Sequence, residues 1–550
     1  MPTASIPAVR AALAKRLPPH VKRALLRALH GEFPRRRADV APVAGSSRPF
    51  DARVEQADAL VTVRSTLAGA GIEFVELPRL SAFRPVLAVR RSAGADVLAA
   101  LTGGLEQAAG WTVRAEDEHG ATLRWNSAMR DPDSVARVLC RRAVTAPNGR
   151  TLTTSDLEIA VELWDELMHG AANDDGAAYP AGTLRRRQIR RDTLIEHLDP
   201  DTWRGAVDEG GAKLTLPAAH IRSVTEPIDL VYTWVDGADP EWREAMTAAR
   251  DGVSAAAGVE RSALADSRFT SRDELRYSLR SVEYYASWFR QIFLVTAGQI
   301  PDWLDTDHPR ITVVDHRDIF TDPDVLPVFN SHAIESQLHH IDGLAERYVY
   351  LNDDVFFMRP TDPELFFEGN GMARFFPSIV PLDHRPAAPG DLPVMSAAKR
   401  GRDHLIDRHG RTVTHRFKHT PHPQVRTVLE EMEAEAPHMF SQVAASRFRH
   451  PDDYSIASSL HHHEAYVRGR AVPGELSYQF IDLAYPDRGV RLDRAARRTD
   501  LDILCLNEST IDPGDADTIA DEVAQFLDHR FPVASTFETD AVAHGAQNHD

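Results

Sequence analysis

The sequence predicts an α/β fold with a mostly parallel sheet, on the strength of two observations. Between residues 226 and 360, short apolar runs of strand length alternate with amphipathic helical patterns across short connections. These apolar runs end in polar or acidic residues, as strands do where they leave the carboxyl edge of a parallel sheet and ligands bind. We therefore expect a Rossmann-like core within residues 226–538, preceded by a smaller α+β domain over residues 51–222.

Length and composition are those of a large globular protein. The 550 residues correspond to roughly three or four domain-sized units, and 43% hydrophobic with 26% charged residues is ordinary. The net charge of −18 argues against a nucleic-acid-binding protein. Only Cys140 and Cys505 are present, so no disulfide framework is predicted and a reducing, cytoplasmic compartment is expected.

The first 37 residues form a basic segment with interleaved leucines and alanines. No apolar run approaches the roughly 18 residues of a membrane span, and no secretory signal is predicted. Val21, Leu25 and Leu29 fall at helical spacing opposite Lys22 and Arg23. Two interpretations stay open: an interfacial helix that holds the chain at the anionic inner face of a membrane, or a solvated or docked terminal helix.

Residues 51–222 alternate helical and strand-like patterns without a chemical motif. The predicted elements are helices at 52–71 and 95–110, strands at 74–77, 86–89, 111–117 and 122–125, and a hairpin around Asn148-Gly149. Their size and position alone suggest a role in acceptor recognition. At the other end of the chain, residues 539–550 are predicted to be a disordered tail.

The informative region starts with a predicted strand from Ile228 to Trp234, which breaks at Val235-Asp236-Gly237. Glycine at 237 allows a tight turn close to a ligand. Ser271 and Glu274 have the spacing of a capping box that opens a helix. Arg276 and Arg280 share one face of that helix. They either pair with Asp273 and Glu283 or reach a phosphate, and the sequence leaves both readings open.

Further strands are predicted at 292–298, 311–316 and 348–351, with Asn330 or Ser331 capping a helix that carries Glu335. The last strand ends in Asn352-Asp353-Asp354. Two adjacent carboxylates between apolar flanks repel each other unless a cation or a proton relieves them, so this pair is a candidate divalent-metal site. The alternative is an acidic turn that caps the next element.

Residues 370–400 are predicted to be a loop over the site, and three histidines follow at 415, 419 and 422. Their spacing invites a zinc interpretation, but no acid or cysteine lies close by in sequence to complete a ligand set. For His422, a proton-transfer or phosphate-contacting role is favoured over a structural one. Residues 461–463 are three histidines expected along a helix without a special role. A last strand, from about Ile503, ends in Asn507-Glu508.

Several of these stretches together resemble the four conserved regions of the Stealth proteins, which include bacterial capsular and exopolysaccharide phosphotransferases and the catalytic subunit of N-acetylglucosamine-1-phosphotransferase. The resemblance covers about residues 226–538 and rests on seven stretches: IDLVYTWVDGADPEW, DELRYSLRSVEYYASWFRQIFLVTAGQIPDWL, FNSHAIESQLHHIDGLAERYVYLNDDVFF, HTPHP, RFRHPDD, CLNES and FPVASTFE. Stretches this long and in this order do not match by chance, unlike a single short motif.

The resemblance implies a GT-A-like catalytic core that transfers a hexose-1-phosphate or N-acetylhexosamine-1-phosphate from a UDP-sugar to a glycan hydroxyl and releases UMP. It implies Mg²⁺ or Mn²⁺ as the cofactor, held by Asp353 and Asp354. The catalytic set is then Asp353, Asp354, His422 and Arg449. The expected donor-binding residues are Asp236, Gly237, Arg276, Arg280, Asn330, Glu335 and Asn507. One departure stands out, because Glu508 occupies a position where the family usually has Asp, and its role stays open.

The expected partners are a nucleotide-sugar donor and a polysaccharide acceptor, and the oligomeric state is left open, a homodimer included. His422 is expected to take the acceptor proton or to form a phosphohistidine. Arg449 is expected to bind the oxygens of the transferred phosphoryl group. Two other readings remain: a metal-dependent glycosyltransferase that releases UDP, and a non-catalytic glycan-binding protein.

Overall fold

The computed structural model describes residues 48–539, with gaps at 107, 109, 169–175, 177, 190–192, 209–210, 252–268, 270, 389, 418 and 509–512. The predicted basic segment 1–37 and all but the first residue of the predicted tail lie outside the described residues. Among the described helices, none is both long enough and apolar enough to cross a bilayer.

The strands of the described chain are numbered in order. They are β1 (Val75–Glu76), β2 (Val86–Arg90), β3 (Trp111–Glu116), β4 (Arg137–Arg142), β5 (Ile159–Glu166), β6 (Leu184–Arg185), β7 (His197–Leu198), β8 (Ile228–Thr233), β9 (Ile292–Thr296), β10 (Ile311–Asp315), β11 (Arg347–Asn352), β12 (Val355–Phe357), β13 (Ala373–Phe375), β14 (His422–Val425), β15 (Ala471–Pro473), β16 (Tyr478–Asp482) and β17 (Ile503–Asn507).

The helices are numbered in the same way. They are α1 (Ala52–Gly69), α2 (Gly94–Leu101), α3 (Trp125–Arg130), α4 (Pro200–Asp208), α5 (Pro240–Asp251), α6 (Glu274–Tyr285), α7 (His316–Ile319), α8 (Ser331–Glu335), α9 (Pro393–His409), α10 (Arg426–Glu435), α11 (Pro437–Ala444), α12 (His461–Val467), α13 (Arg488–Arg497) and α14 (Ala516–Arg530). The predicted mixed α/β class is confirmed.

The central sheet has the strand order β10-β9-β8-β11-β14. The first four strands are parallel and β14 runs antiparallel along β11. Because strands β8, β9 and β11 are buried on both faces, their sequences are continuous apolar runs rather than alternating ones. The carboxyl ends of the four parallel strands lie along one edge, as the sequence predicts.

A second, three-stranded sheet in the order β12-β17-β16 lies directly downstream of that edge. The chain passes from β11 into β12 through Asp353 and Asp354 alone, so the acid pair is the junction of the two sheets. Helix α6 binds β12 through two buried serines. Ser278 Oγ donates to the Val355 carbonyl at 2.6 Å, and the Phe357 amide donates to Ser281 Oγ at 3.0 Å.

The N-terminal region contains a mixed sheet, β1-β2-β5-β4-β3, extended by β6 and β7. It does not stand apart from the central sheet, because Phe50, Phe83 and Leu152 belong to the same apolar cluster as strands β8, β9 and β11. Asp362 also accepts hydrogen bonds from Arg53 and from the Ala82 amide, at 3.0 and 3.1 Å.

Several predicted local features are wrong. The capping box is absent, because Asp273 precedes α6 with φ of 62° and Glu274 accepts from the Arg272 amide instead. The strand predicted at 122–125 is limited to a single bridge at Thr122, since α3 begins at Trp125. The segment 370–400 is not one loop, because it contains β13 and the start of α9. Around Asn148 the tight turn is present, but its flanks make only the Thr145–Thr151 bridge.

Arg276 and Arg280 pair with a carboxylate that the sequence interpretation did not consider. Glu538, whose side chain is fully buried, accepts from Arg280 Nε at 2.7 Å and Nη2 at 2.8 Å, and from Arg276 Nε at 2.5 Å. Glu283, the expected partner, instead accepts from the amide and hydroxyl of Thr536. These arginines therefore anchor the segment after α14 onto α6.

Glu538→Gln is expected to lower the free energy of unfolding by about 3–5 kcal/mol, because it leaves the Arg280 guanidinium buried without a counter-charge. Burial raises the pKa of Glu538, but the Arg280 hydrogen bond and charge outweigh it, so the net pKa is below its ordinary value. The stabilisation is therefore present at neutral pH and is lost as pH falls through the folded-state pKa, below about 4.3. Urea unfolding at pH 7 and pH 3.5 measures both effects.

The matched control is Asp487→Asn, which removes a half-exposed i,i+4 partner of Arg491. This change is expected to alter stability by less than about 0.5 kcal/mol. Equal, small effects of the two substitutions would contradict a structural role for Glu538.

Candidate functional site

The acid pair lies where β11 leaves the central sheet. Asp354 is fixed through its backbone, because its carbonyl accepts the Leu506 amide of β17 at 2.9 Å. Three side chains then meet one of its carboxylate oxygens, Oδ2: Asn507 Nδ2 at 3.1 Å, His419 Nδ1 at 3.3 Å and Cys505 Sγ at 3.4 Å. Two of these residues come from β17 and the third from the segment before β14, so three distant parts of the chain converge here.

These contacts make Asp354 the ionised member of the pair. Desolvation raises the pKa of its carboxyl group, but the charge and hydrogen bond of His419, with the hydrogen bonds of Asn507 and Cys505, bring the net pKa below its ordinary value. The second oxygen, Oδ1, is shielded from solvent and has no hydrogen-bond partner within the described part of the chain.

Asp353 is in the opposite position. Desolvation raises the pKa of its carboxyl group well above the ordinary value, and the charges of Asp354 and Glu274 raise it further. Glu274, the first residue of α6, has a raised pKa for the same reasons, with desolvation as the largest. The three carboxyl groups of Asp353, Asp354 and Glu274 thus share one poorly solvated region. The nearby positive charge is Arg272, which forms an ion pair with Glu508 at 2.5 Å.

Two ligand sets fit a cation at this place. The carboxylates of Asp353 and Asp354, with the bare Oδ1, are the hard oxygen donors that Mg²⁺ and Mn²⁺ prefer. Asp354, His419 and Cys505 also place a carboxylate oxygen, a ring nitrogen and a sulfur within 4.8 Å of one another, which suits a softer ion such as Zn²⁺. The zinc reading of the sequence lacked an acid and a cysteine, and the fold brings both to His419.

Arg449 is close enough to Tyr350 for its charge to act on the tyrosine hydroxyl. Its Nη2 donates to Ser331 Oγ at 2.7 Å, and its Nε is shielded without a partner in the described chain. Burial lowers the pKa of Arg449, whereas the Glu335 carboxylate opposes this shift. Glu335 is itself buried and accepts from Ser458 Oγ at 2.6 Å.

The buried Tyr350 hydroxyl feels the charges of both Asp353 and Arg449. It lies 3.0 Å from Thr233 Oγ1 of β8 and 3.4 Å from Glu335 Oε1. Desolvation raises the pKa of Tyr350 well above its ordinary value; Glu335 and Asp353 add to the shift, and Arg449 opposes it. Asp353 and Arg449 are thus both close enough to act on this one hydroxyl group.

Asn330 holds the segment that carries Arg449. Its side-chain oxygen caps α8 through the His332 amide at 3.1 Å, which confirms the predicted cap. Its Nδ2 donates to the Asp453 carboxylate at 2.8 Å and to the Ser446 carbonyl at 3.0 Å. Asn330 is fully buried, so the structure gives it a positioning role.

Of the two histidines that flank Thr420-Pro421, His419 and not His422 contacts the acid pair. The His419 side chain is 40% exposed. His422 is buried, its Nδ1 lies 3.0 Å from His462 Nε2, and burial with the charges of His419 and His461 lowers its pKa to about 3. His462 lies in α12, next to His461, whose Nε2 accepts from the Val425 amide at 3.1 Å. Two of the three histidines expected to have no role thus have specific partners.

The turn after β8 is built as the sequence suggests. The Asp236 side chain accepts from the Ala238 amide at 2.8 Å, and the Asp236 amide donates to Gln299 Oε1 at 3.1 Å. At position 237 a Cβ atom would lie 2.2 Å from the Phe269 carbonyl oxygen, so only glycine fits. By contrast, Arg276 and Arg280 are directed to Glu538 and are not brought to the acid pair.

Sequence reasoning did not place Cys505 or Glu274 in the site, and it named His419 only as one of three histidines in a disfavoured zinc interpretation. His419 and Cys505 are 65 and 151 residues from Asp354, and nothing local to them signals a shared site. Glu274 was assigned to a helix cap. The available signal was the short spacing in HTPH, which offers two candidate histidines rather than one.

Comparison with known proteins gives three matching family models. They are Stealth protein conserved region 1 over residues 226–254, conserved region 2 over 268–375, and conserved region 3 over 418–466. The chain is therefore similar to Stealth proteins in three of their conserved regions. The matched regions contain Asp353, Asp354, His419, His422 and Arg449.

Among relatives, the exopolysaccharide phosphotransferase SCO6023 of Streptomyces coelicolor is 48% identical over 315 residues, which is 57% of this chain and 52% of the relative. Exopolysaccharide phosphotransferase CpsY of Mycobacterium tuberculosis is 38% identical over 322 residues, covering 58% of this chain and 60% of its own. The chain thus spans little more than half the length of these two relatives.

Among solved structures, that of the galactosyltransferase LgtC in complex with donor and acceptor sugar analogues covers 56% of this chain and 97% of its own, with 12% identity and a TM-score of 0.28. A TM-score this low does not establish a shared fold, so the α/β class follows from the strand order of the central sheet.

Asp353→Asn is expected to leave the metal-free protein at least as stable as the wild type at pH 7, because it removes a buried repulsion. The raised folded-state pKa of Asp353 means that its contribution falls as pH rises from the unfolded value of about 3.9 through the folded value. The stability of wild type minus variant should therefore decrease with rising pH in chelator-treated protein.

Added Mn²⁺ should raise the thermal midpoint of the wild type and not that of Asp353→Asn, because the carboxylate pair is the proposed ligand. Cys505→Ser serves as the second variant and should keep the Mn²⁺ response. If Cys505→Ser lost the response while Asp353→Asn kept it, the softer Asp354-His419-Cys505 set would be the ligand set.

Proposed function

We propose that this protein is a sugar-1-phosphate transferase. It moves a hexose-1-phosphate or N-acetylhexosamine-1-phosphate from a UDP-sugar to a hydroxyl group of a glycan, forming a phosphodiester in a capsular or extracellular polysaccharide and releasing UMP. The names of the relatives, exopolysaccharide phosphotransferases, support the reaction class. The observation that carries the proposal is the convergence of His419 and Asn507 on Asp354, beside the desolvated Asp353, at the carboxyl edge of the central sheet.

The acid pair is suited to a diphosphate only with a cation. Mg²⁺ or Mn²⁺, when bound by Asp353 and Asp354, supplies positive charge against the diphosphate oxygens and the leaving UMP. Asn507 and Cys505 donate to Asp354 Oδ2, so Oδ1 is the oxygen that remains available to the cation. Because desolvation and like charges raise the pKa of Asp353, its ionisation is coupled to cation binding.

Arg449 is the proposed ligand for the phosphoryl group. Its Nη2 is held by Ser331 and its charge faces Glu335, so the guanidinium is fixed in orientation, while its Nε proton lacks a partner in the described chain. A planar donor group with an unused N–H can bind a phosphate oxygen. Glu335 and Tyr350 position this group and are not proposed to touch the donor.

His419 is the proposed general base. Its Nδ1 lies against the Asp354 carboxylate, which can only accept, so Nδ1 carries the proton and Nε2 keeps a lone pair. The partly exposed ring can therefore take the proton of the acceptor hydroxyl at Nε2. The sequence interpretation expected His422 to be either the base or a nucleophile that forms a phosphohistidine; its burial and its low pKa of about 3 suit a supporting role behind this site.

His419→Ala is expected to lower the turnover number by at least about a hundredfold, about 3 kcal/mol, without a change in thermal midpoint, because a half-exposed general base is lost. His422→Ala should instead lower the thermal midpoint, since it breaks a buried contact with His462. The exposed His415→Ala is the control for both. If His422→Ala stayed as stable as the wild type and inactive while His419→Ala stayed active, the roles would have to be exchanged.

A screen of UDP-sugars with purified protein, Mn²⁺ and a glycan acceptor is expected to yield UMP and a product that contains phosphate. Asp354→Asn and Arg449→Ala should each reduce UMP formation by at least about a hundredfold, because they remove charge stabilisation. The readout is chromatographic separation of UMP from UDP. UDP as the product would instead show glycosyl transfer, and the absence of either nucleotide with every donor would favour glycan binding without catalysis.

A further inference from the structure

A second group of metal-ligating side chains lies outside the site described above. It consists of His339 and His340, in the 3₁₀ turn Leu338–His340 that follows α8, and Glu433, in the last turns of α10. Among the described residues, this group and the Asp354 group are the two sets of three such side chains whose ligand atoms converge within 4.8 Å.

The geometry of the group is unusual for a simple ion pair. The Nε2 atoms of His339 and His340 both lie 2.8 Å from the same oxygen, Oε2 of Glu433. The two rings lie 4.1 Å apart between centroids. His339 is completely buried, whereas His340 and Glu433 remain about one-quarter exposed, so an ion can enter from one side.

The backbone fixes the tautomer of His340. Its Nδ1 lies 2.9 Å from the Ile319 carbonyl oxygen, at the end of α7. A carbonyl oxygen can only accept, so Nδ1 carries a proton, and in the neutral ring Nε2 keeps a lone pair. This lone pair faces the Glu433 carboxylate, so a positive species, either a proton or a metal ion, is needed between them. Metal-bound histidines characteristically donate their second nitrogen to a backbone carbonyl in this way.

We propose that His339, His340 and Glu433 form a binding site for a divalent transition metal, with Zn²⁺ as the ion their chemistry suits best. Two imidazole nitrogens and one carboxylate oxygen are a recognised zinc ligand set that leaves a fourth position for water. With ligand distances of about 2.0–2.2 Å, each histidine Nε2 would lie about 3.3 Å from the Glu433 oxygen. The two N–O distances are now 2.8 Å, so the partly exposed Glu433 side chain would have to move only a little.

The consequence of such a site is structural. It joins three elements that are separate in sequence: the carbonyl end of α7, the turn after α8, and α10. Helix α10 directly follows β14, whose first residue is His422. A metal ion here would therefore stabilise the position of the strand that pairs with β11 beside the acid pair. It is independent of the proposed transferase activity, since none of its ligands contacts the acid pair.

The alternative occupant is a proton. Burial lowers the pKa of His340, but the hydrogen bonds to Glu433 and to the Ile319 carbonyl outweigh it, and the net pKa is raised. His339 does not decide between the two, because its Nδ1 is buried without a partner in the described chain in either state. A direct binding experiment therefore has to separate zinc from an imidazolium–carboxylate pair.

The test uses the full chain without a polyhistidine tag, in an Asp354→Asn/His419→Ala background that disables the other metal-binding group. Protein stripped with chelator is titrated with Zn²⁺, and the bound metal is counted by mass spectrometry. One equivalent is expected. Glu433→Gln and His340→Gln should weaken binding at least about a hundredfold, whereas Glu430→Gln, which removes a half-exposed acid from the same helix, should not.

A second readout is the thermal midpoint. Zn²⁺ should raise it in the background protein and in Glu430→Gln, and not in Glu433→Gln. Co²⁺ should produce visible absorption bands without a thiolate charge-transfer band, because the group contains no cysteine. Failure of the background protein to bind Zn²⁺, or unchanged binding in Glu433→Gln, would overturn the proposal and leave the protonated pair. Loss of UMP formation is not a readout here, so the outcome does not depend on the transferase reaction.

Discussion

The structure depends on how it accommodates two adjacent carboxylates that are partly removed from water at the carboxyl edge of the central sheet. Asp353 and Asp354 are half-buried and lie between the buried runs of β11 and β12, so the two sheets fix the backbone of the pair on both sides. Desolvation and mutual repulsion raise the pKa of Asp353, and donors from two other segments keep Asp354 ionised. Because of this repulsion and desolvation, the two carboxylates require a cation or a proton beside them.

The repulsion between the two carboxylates has to be balanced by the elements around them, which are helix α6 and strand β17. Helix α6 is hydrogen-bonded to β12 through Ser278 and Ser281, and the Arg280–Glu538 ion pair attaches it to the segment after α14. Strand β17 pairs with β12 and delivers Asn507 and Cys505 to Asp354. A site composed of like charges needs its supporting groups to be fixed in advance, because the repulsion between the carboxylates otherwise drives them apart.

The sequence predicts the central strands and their polar ends well, because a strand buried on both faces must be a continuous apolar run and the chain must turn polar where it leaves the sheet. It also predicts Asn330 as a cap. It does not predict partners across long separations: Arg280 meets Glu538 at a distance of 258 residues, and Asp354 meets Cys505 at 151. The capping box failed for a local reason, since the left-handed backbone of Asp273 turns the chain away from the cap geometry.

The exchange of His422 for His419 beside the acid pair follows from the direction of a single strand. Strand β14 runs antiparallel to β11, and Tyr350 lies opposite His422, so paired residue numbers sum to 772. Continuing this register past the start of β14 sets position 419 opposite 353, because 772 − 353 = 419. Residues before His422 therefore run towards the acids, and residues after it run away from them. Had the fifth strand been parallel, the residues after His422 would have reached the edge instead. The histidine that reaches Asp354 is thus determined by strand orientation, which a short motif cannot encode by itself.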